Sequence, residues 1–341
     1  MVSLFEKGHH ECEFFSGGRE HEAAESCHNW QICEKNPGHE KFISAQVFKD
    51  NYLPRLHSGR KREVLRCLID RTVRLRVYCT SIDRPDDDAM VEYRGTGITL
   101  VGTGFVRMVR KPEYNRPCFC DNCHGIGTRK KWSFSVETCR HVVFNTEEAK
   151  RTKVDLFYDD ASCKQDGRMK SVRAVEVVEC RPDRDWCEML CTTCDEDLGE
   201  RIESAMYCWL EIDKLNHQDV SDLGLLPSCD KEYDPVLIVS HPHGQPKKIS
   251  MGDVARYPDE QNSRVEYNTP TCPGSSGALV FFYVHLYGRD VFWLFSPLHS
   301  GSYGKTSTEQ THKLNLFRRL FNKLWGHESS HEQLNFGYNW F

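Results

Sequence analysis

The sequence predicts an all-β fold over most of its 341 residues, and three observations support that prediction. From about residue 73 onward, apolar segments recur at short intervals, many of them alternate apolar with polar residues, and turn-forming residues separate them. Alternation with a period of two is the pattern of a half-buried strand. Strands this numerous and this closely spaced are typical of a β-sandwich or β-barrel, and they argue against repeated strand–helix–strand units.

The strands are predicted as a regular series along the chain. The first contains Val73, Leu75, Val77 and Cys79, which alternate with arginines and a tyrosine. The segments that follow are, in order, ITLVGTGFVRMV, KWSFSVET, KVDLFYD, VRAVEVVEC, WCEML, MYCWLEI, PVLIVSHP, GALVFFYVHLYG and DVFWLFSPL.

Helical spacing is predicted at only two places outside this series. Residues 61–72 place apolar side chains from Val64 to Ile69 on one helical face. Near the C-terminus, one apolar stripe runs from Phe317 to Trp325 with basic residues opposite it. This stripe predicts an amphipathic packing helix, and a membrane-binding helix is the alternative.

The charge balance argues against two classes of function. The chain has 45 basic and 50 acidic residues, for a formal net charge of -5, so we expect neither a nucleic-acid partner nor a general membrane-surface binder. The basic residues between 55 and 76 are interpreted as a solvated surface. No apolar run approaches the roughly 18 residues that span a bilayer, so no membrane span is expected. The oligomeric state is not encoded in these patterns.

The N-terminus and the cysteines predict a compartment. The opening residues, MVSLFEKGHHECEFF, lack the apolar core of a secretory signal, so an intracellular, cytoplasmic location is expected. In a reducing compartment the 17 cysteines are expected as free thiols or metal ligands and not as disulfides. Residues 1–65 are rich in His, Glu, Gly and Cys without sustained apolar periodicity, and we expect much of this extension to be irregular.

The segment from Thr271 to Val280 carries the strongest chemical signal. It reads TCPGSSGALV, in which a tight turn around Ser276 leads directly into an apolar strand. A nucleophilic serine needs such a turn, because the N–H groups of Gly274 and Ser276 can then point together at a developing oxyanion. Gly277 leaves room for a substrate backbone. Alone, the Gly-x-Ser-Gly pattern is also common in ordinary turns.

A serine hydroxyl requires a base, and the base requires an orienting acid. His141 follows the predicted strand WSFSV in a Thr-x-x-His turn, and Asp185 begins the apolar segment DWCEML. The rival acids Asp155, Asp159 and Asp160 follow His141 by only 14 to 19 residues. That interval is better filled by the next strand of the same barrel.

Together these motifs resemble the trypsin-like (chymotrypsin-fold) peptidases. In that family the histidine ends a Thr-Ala-x-His pattern, which Thr138–His141 matches with Cys139 in place of alanine, and Gly102–Val106 is similar to an early Gly-x-Gly-Phe strand. One position differs from the family pattern: Glu188 stands where an apolar residue is usual in the segment that follows the acid. No activation site is evident, and in this respect the chain resembles family members that need no zymogen cleavage.

The resemblance implies two consecutive antiparallel six-stranded β-barrels with the His-Asp-Ser triad in the cleft between them. The implied domains are a partly irregular, His/Cys-rich extension at 1–65, a first barrel at 66–200 with His141 and Asp185, a second barrel at 201–310 with Ser276, and a C-terminal amphipathic helix and tail at 311–341. The implied activity is that of a serine endopeptidase working through an acyl-enzyme on a protein or peptide substrate. That chemistry requires no cofactor. A catalytically silent fold that acts as a binding or regulatory module, with zinc as a structural element, is the alternative.

Two further residues suggest a substrate preference. Thr271 precedes Ser276 by five residues, and Leu298–Gly301 reads LHSG. This arrangement resembles glutamyl endopeptidases and picornavirus main proteases, in which a threonine and a histidine complete the S1 pocket. The resemblance predicts Glu or Gln at P1, bound by Thr271 and His299. His299 as a simple pocket-wall residue is the other interpretation.

Cysteine clusters raise the question of zinc. Cys118, Cys120, Cys123 and His124 lie within seven residues, at a spacing that suits one metal ion, and free thiols in a surface insertion are the alternative. Two weaker groups are Cys187, Cys191 and Cys194 near the acid, and His9, His10, Cys12, His21, Cys27, His28 and Cys33 at the N-terminus. His241 and His243, in SHPHGQP, are interpreted as parts of a structural turn.

Overall fold

The structure is a computed structural model that describes residues 9–18, 20–55, 59–114, 120, 123, 130–215, 235–256, 264–286, 289–292, 297–303 and 334–338. Most of the regular structure in these residues is antiparallel β-sheet, which confirms the predicted all-β class. The strands collect into two sheets, and the hydrophobic core of the molecule lies within and between them.

The strands have the following bounds: β1 His9–His10, β2 Glu13–Phe15, β3 Ile43–Ser44, β4 Thr72–Val77, β5 Thr99–Glu113, β6 Lys131–Cys139, β7 Thr152–Leu156, β8 Lys170–Arg181, β9 Trp186–Thr193, β10 Pro235–Ser240, β11 Lys248–Arg256, β12 Arg264–Tyr267, β13 Val280–Leu286, β14 Arg289–Phe292, β15 Leu298–Ser302 and β16 Asn335–Tyr338. The α-helices are α1 Glu22–Gln31, α2 Ala45–Val47, α3 Gly59–Arg71, α4 Thr146–Lys150 and α5 Glu196–Leu215. Short 3-10 turns at Pro182–Arg184 and Pro242–Gly244 border the site described below.

The first sheet closes into a six-stranded antiparallel barrel. Its strand order is β5-β4-β7-β8-β9-β6, and the pairing of β6 with β5 completes the ring. Apolar side chains from alternate positions fill the interior: Val73, Leu75 and Val77 of β4 are fully buried, as are Phe134 and Val136 of β6. In the described residues, each of the six strands pairs with two neighbours in the ring, and β2 adds to β5.

The second sheet has the order β1-β15-β16-β12-β11-β10-β13-β14, and β3 pairs with β11. An isolated bridge between Leu279 and Leu298 brings the start of β13 back to β15. Val236, Ile238, Val265 and their neighbours form a separate buried cluster inside this sheet. Full closure into the predicted second barrel stays a prediction.

The helix predicted at 61–72 is present as α3, and its apolar face from Val64 to Ile69 is buried. The strand predicted at MYCWLEI is wrong, because this segment belongs to the long helix α5. Leu198, Ile202 and Met206 recur at helical spacing and are buried, so the longer window favours a helix over a strand. The C-terminal helix predicted at 317–325 lies outside the described residues.

The N-terminal segment joins both sheets. β1 pairs with β15 of the second sheet, and β2, only three residues later along the chain, pairs with β5 of the first barrel. Cys12 and Phe15 are buried. The residues between His9 and Phe15 therefore cross from one sheet to the other, although an irregular extension was expected here. The predicted domain boundaries stay predictions.

Among the helices that the structure describes, none combines the length and the apolar character needed to cross a membrane.

Candidate active site

Ser276 lies in a turn that depends on two glycines. Gly274 and Gly277 have φ values of 94° and 88°, in the left-handed region that other residues rarely adopt. Strand β5 of the first barrel holds the turn in place: the N–H of Thr103 donates to the Ser276 carbonyl oxygen at 2.8 Å, and Oγ1 of Thr103 donates to the Gly274 carbonyl oxygen at 2.8 Å. The Gly-Thr-Gly-Phe segment of β5 thus positions the serine turn across the interface between the sheets.

His141 lies just after β6 and faces the serine. Its Nε2 atom lies 2.8 Å from Oγ of Ser276, and its Nδ1 atom lies 2.6 Å from Oδ2 of Asp185. The backbone N–H of His141 also donates to Oδ1 of Asp185 at 3.0 Å. The three residues predicted as a triad are therefore brought together, with the hydrogen bonds that a serine, a base and an orienting acid require.

Asp185 is held in a conformation that aims its carboxylate at His141. It follows the 3-10 turn Pro182–Arg184 and has a φ of 46°, one of four positive values among non-glycine residues of the described chain. Its carbonyl oxygen accepts from the N–H of Arg140 at 3.0 Å, and its Oδ2 atom accepts from Oγ of Ser300 at 2.5 Å. Backbone strain of this kind is often found at functional sites.

The electrostatics of the pair favour a charged acid beside a basic imidazole. Burial alone would lower the pKa of His141, but the Asp185 carboxylate outweighs it and the pKa lies well above 6.5. Burial would raise the pKa of Asp185, yet the facing imidazole and its hydrogen bond hold that pKa below its usual range. The carboxylate is thus ionised and can stabilise an imidazolium.

The rival acids have other partners. Asp155 is fully buried between Arg74 and Arg76, and Asp159 pairs with Lys49 and Lys247. Asp160 caps a short helical turn, where its Oδ1 atom accepts from the N–H of Ser162 at 2.8 Å. The described contacts of these three carboxylates do not include His141.

The N-terminal segment occupies the cleft beside the serine. His9 and His10 pair antiparallel with Ser302 and Gly301 of β15. The residue that follows, Glu11, places its carbonyl oxygen between two donors: it accepts from the N–H of Gly274 at 2.7 Å and from that of Ser276 at 3.2 Å. Its own N–H donates to Oγ of Ser276 at 3.0 Å. The predicted oxyanion donors therefore converge on one carbonyl oxygen of the same chain.

His10 packs directly on the base. The ring centroids of His10 and His141 are 4.0 Å apart, and Nδ1 of His10 lies 3.2 Å from the carbonyl oxygen of Ser300. Burial, followed by the neighbouring His141, lowers the pKa of His10 to about 4. A neutral His10 therefore covers the imidazole at neutral pH.

The side chain of Glu11 is fully enclosed in a polar pocket. Nε2 of His299 donates to its Oε2 atom at 2.7 Å, Oγ of Ser302 donates to Oε1 at 2.9 Å, and the ammonium of Lys35 forms an ion pair with Oε1. Burial would raise the pKa of Glu11, but Lys35 and His299 outweigh it and hold the pKa below the usual range. The pocket therefore binds a carboxylate in its charged form.

Thr271 lies behind this pocket and does not hydrogen-bond to Glu11. Its hydroxyl lies 3.1 Å from Nζ of Lys35 and donates to Oδ1 of Asn335 at 3.0 Å, and Lys35 also lies 3.1 Å from that oxygen. Thr271 thus helps to hold Lys35 in place. His299 and Thr271 were predicted from the sequence, whereas Lys35, Ser302 and Asn335 were not.

Apart from His10, His141 and Asp185 at the triad, two groups of side chains in the described part of the chain could hold a metal ion. Cys120 and Cys123 lie 3.3 and 3.1 Å, sulfur to sulfur, from Cys194, so the predicted Cys-x-x-Cys pair meets a cysteine from the end of β9. Cys118 and His124, the other members of the predicted cluster, lie outside the described residues. The second group is Cys33, His39, His243 and Cys272, all buried. His243 was interpreted from sequence as part of a turn only.

Cys187 and Cys191, which the sequence grouped with Cys194, are buried in the core of the first barrel. His241, the neighbour of the second group, has its Nδ1 atom 2.9 Å from the carbonyl oxygen of Gln245. It does not belong to either group of potential ligands in the described part of the chain.

Comparison with known proteins gives one family match. Residues 127–283 match the model of the trypsin-like peptidase domain, and this range contains His141, Asp185 and Ser276. No curated protein matches the sequence.

Solved structures give distant likenesses. Deg5 is 12% identical with a TM-score of 0.33, over 72% of this chain and 88% of that chain. The HtrA-type protease AlgW, solved with a tripeptide, is 11% identical with a TM-score of 0.35, over 81% of this chain and 58% of that one. The active form of the Rv3671c protease from M. tuberculosis is 13% identical with a TM-score of 0.35, over 81% and 79%. At these scores the likenesses add nothing to the argument about the site.

The family match agrees with the sequence motifs and with the closed six-stranded barrel. Over residues 127–283 the chain is similar to the trypsin-like peptidase domain, and the chain is a serine-type peptidase.

Proposed function

We propose that this chain is a serine endopeptidase that cleaves peptide bonds after glutamate, with Ser276 as nucleophile, His141 as general base and Asp185 as orienting acid. One observation carries the proposal: a glutamate of the chain itself, Glu11, has its carbonyl oxygen between the two oxyanion donors and its carboxylate in the adjoining pocket. This is the position that a P1 residue takes before attack.

The mechanism follows from the described contacts. Oγ of Ser276 attacks the P1 carbonyl carbon while Nε2 of His141, 2.8 Å away, takes its proton. The N–H groups of Gly274 and Ser276 stabilise the oxyanion. His141 then protonates the leaving amine, and an acyl-enzyme forms. Water, activated by the same imidazole, releases the P1 carboxylate and restores the serine.

Asp185 has a positioning role in this scheme. Its two oxygens bind both the ring Nδ1–H and the backbone N–H of His141, which fixes the tautomer that leaves Nε2 free to accept a proton. Ser300 donates a hydrogen bond to the same carboxylate and thereby restrains its rotation.

The pocket favours glutamate over glutamine. Lys35, His299 and Ser302 all present hydrogen-bond donors to the side chain of Glu11, and Lys35 adds a positive charge. A glutamine amide nitrogen would meet a donor where the carboxylate offers an acceptor, and a neutral amide would remove the ion pair with Lys35. We therefore narrow the sequence-based expectation of Glu or Gln to Glu.

The partners of this reaction are protein or peptide substrates, and the acyl-transfer chemistry uses no cofactor. A catalytically silent fold with a binding role makes the opposite prediction for the reactivity of Ser276. The experiment below separates these two functions.

The test uses full-length protein in which the cleft is opened by Glu11→Lys, since a lysine beside Lys35 is expelled from the pocket by like-charge repulsion. A fluorophosphonate probe should label Glu11→Lys and leave Glu11→Lys/Ser276→Ala unlabelled. A peptide library should then show best cleavage by Glu11→Lys after Glu. A folded Glu11→Lys protein that takes no label would contradict the enzyme, and best cleavage after Lys, Arg or Phe would contradict the pocket assignment.

A further inference from the structure

The Glu11–Cys12 peptide bond is held from both sides. Upstream, His9 and His10 pair with β15, and Glu11 fills the carboxylate pocket. Downstream, β2 pairs with β5 in the register Glu13 to Val101. The bond therefore lies at the serine turn between two short strands, each of which is held by a different sheet.

From this placement we infer that the enzyme hydrolyses its own Glu11–Cys12 bond. The inference rests on the proposed function, since it uses the same nucleophile and the same pocket. Beyond that function, the first substrate is the chain itself, and the N-terminal segment closes the cleft until the Glu11–Cys12 bond is cut. Ser276 has no exposed surface while the segment is in place.

The reaction is a hydrolysis and needs only water. Oγ of Ser276 loses its proton to His141 and bonds to the carbonyl carbon of Glu11. The C–N bond to Cys12 breaks, and the amine of Cys12 takes the proton from His141. Water then cleaves the ester, which leaves a carboxylate on Glu11 and restores the serine proton.

Cutting the chain in place should be fast and independent of concentration. Oγ of Ser276 already lies 3.0 Å from the backbone nitrogen of Glu11, and the Glu11 carbonyl oxygen accepts from both oxyanion donors, so no association step has to precede the chemistry. After the cut, the fragment that ends at Glu11 is retained by non-covalent contacts, which in its described residues include the two residue pairs with β15, the packing of His10 on His141 and the carboxylate pocket. Its departure opens the site to substrates in trans.

The test is intact mass and N-terminal sequencing of full-length protein over time after purification. Wild type should convert to a chain that begins at Cys12 together with a fragment of residues 1–11, whereas Ser276→Ala should stay intact. The rate should not change on 100-fold dilution, and Glu11→Lys should not be cut at this bond.

Two negative results have different meanings. If wild type stays intact while Glu11→Lys hydrolyses Glu-containing peptides in trans, the self-cleavage is overturned and the proposed function stands. If wild type stays intact and Glu11→Lys is also inactive on peptides and unlabelled by fluorophosphonate, the proposed function fails and the inference fails with it.

A separate observation concerns the four buried side chains of Cys33, His39, His243 and Cys272. The sulfurs of Cys33 and Cys272 lie 3.7 Å apart, and Nε2 of His39 lies 3.5 Å from the sulfur of Cys272. Ligand atoms of all four lie within 4.8 Å of one another. They come from three separate segments of the chain, so their convergence is a property of the fold.

These separations are those of a zinc tetrahedron. With Zn–S bonds of about 2.3 Å and Zn–N bonds of about 2.0 Å, two sulfurs on one ion lie about 3.8 Å apart and a sulfur and a nitrogen about 3.5 Å apart. A Cys–Cys disulfide would instead need an S–S distance of about 2.0 Å. The geometry points to a structural Cys2His2 zinc site at this position.

The surroundings of the two histidines fit ligands. Nδ1 of His243 lies 2.5 Å from Oε2 of Glu13, which is the carboxylate contact that commonly orients a zinc-bound imidazole. Nε2 of the same ring is buried and has no hydrogen-bond partner that is nitrogen or oxygen. His39 and His243 have φ values of 51° and 52°, which are strained for a residue with a side chain.

The site would join the N-terminal segment to the serine turn. Cys272 lies four residues before Ser276, His243 lies in the neighbouring turn Pro242–Gly244, and Cys33 and His39 follow α1. One ion would therefore fix the turn that carries the oxyanion donors and anchor the chain that leads away from the scissile bond.

Metal analysis of purified full-length protein tests the site, with Cys194→Ser as the matched control because it removes a sulfur from the other cysteine group only. Wild type should contain one equivalent of zinc more than Cys33→Ser, and Cys194→Ser should retain that equivalent. Cobalt(II) in Cys194→Ser should give the intense visible bands and sulfur-to-metal charge transfer of a tetrahedral site with two thiolates. Equal zinc in wild type and Cys33→Ser would overturn the assignment, as would metal-free wild type with a Cys33–Cys272 disulfide.

Discussion

Nε2 of His299 lies 2.7 Å from the carboxylate of Glu11, and both side chains are buried. The other ring nitrogen, Nδ1, lies 2.6 Å from the hydroxyl of Tyr267, which fixes the tautomer that carries its proton on Nε2. Burial, the largest effect, lowers the pKa of His299 although Glu11 opposes it. A neutral imidazole therefore serves as a fixed donor at the end of the pocket, and its role in substrate selection can be measured.

We expect His299→Ala to lower kcat/KM for peptides with Glu at P1 by about 100-fold, since the loss of one partner from a buried, charged hydrogen bond costs about 2–5 kcal/mol. Peptides with Ala at P1 should be much less affected, because they make no such bond. Both rates are measured in the Glu11→Lys background. Tyr267→Phe is the conservative companion and should give a smaller loss in the same direction. An equal loss for both peptides would show that His299 is only a wall residue.

The pH dependence of activity should report the pair His141 and Asp185. His141 must be neutral to accept a proton, so kcat/KM rises with pH through the pKa of the free enzyme. Asp185 raises that pKa well above 6.5. In Asp185→Asn the rising limb should therefore move to lower pH, and kcat should fall by about 10⁴-fold because the tautomer is no longer fixed.

A full pH profile of kcat/KM for both proteins, in the Glu11→Lys background, checks this expectation. Ser300→Ala removes only one hydrogen bond to the carboxylate and should keep most of the activity with a small shift of the limb. A rising limb in Asp185→Asn at the same pH as in the parent would mean that Asp185 does not set the pKa of His141.

Stability should depend on Asp155, the buried acid that the sequence offered as a rival. It is fully enclosed between Arg74 and Arg76, which hold its pKa below the usual range although burial opposes them. Asp155→Asn should lower the free energy of unfolding by about 3–5 kcal/mol, because it leaves buried charge uncompensated. Urea unfolding of wild type and variant measures the difference, and the exposed Asp166→Asn should leave the midpoint almost unchanged.

The sign of the pH effect follows from the direction of the shift. A folded-state pKa below the unfolded value of about 3.9 means that the stabilisation is fully present above that pH and is lost as pH falls further. The difference in unfolding free energy between wild type and Asp155→Asn should therefore shrink as pH falls below about 4. A difference that stays constant down to pH 2 would contradict the assignment.

The sequence predicted the parts of the site that depend on local conformation. Ser276 is flanked by glycines whose positive φ values define its turn, and His141 and Asp185 each lie where a strand meets a turn, so short motifs carry the information. The helix α5 was missed because a seven-residue apolar window suits a strand as well as a helix. The longer window from Leu198 to Met206 distinguishes them.

The contacts that the sequence could not predict join distant parts of the chain. Glu11 meets His299 across 288 positions, and Cys33 meets Cys272 across 239. The first of these pairings depends on the register of β1 against β15, and a two-residue strand carries too little pattern to set it. One signal was available: once a pocket for glutamate was expected, the glutamate in the N-terminal HHEC segment was a candidate to fill it.

The serine turn offers the sharpest structural test. Gly277 and Gly167 both have positive φ, 88° and 76°, so alanine at either position costs about 1–2 kcal/mol from the backbone alone. A Cβ at Gly277 would lie 2.1 Å from the carbonyl oxygen of Thr103, whereas one at Gly167 meets nothing within 4 Å. Gly277→Ala must therefore displace the turn as well, and a shift of about 1 Å at the nucleophile costs about 100-fold in rate.

We expect Gly277→Ala to lose at least that much kcat/KM in the Glu11→Lys background and Gly167→Ala to keep parental activity, since the strain they share cancels in the comparison. Equal activity in the two variants would mean that the contact between Thr103 and the serine turn does not position Ser276.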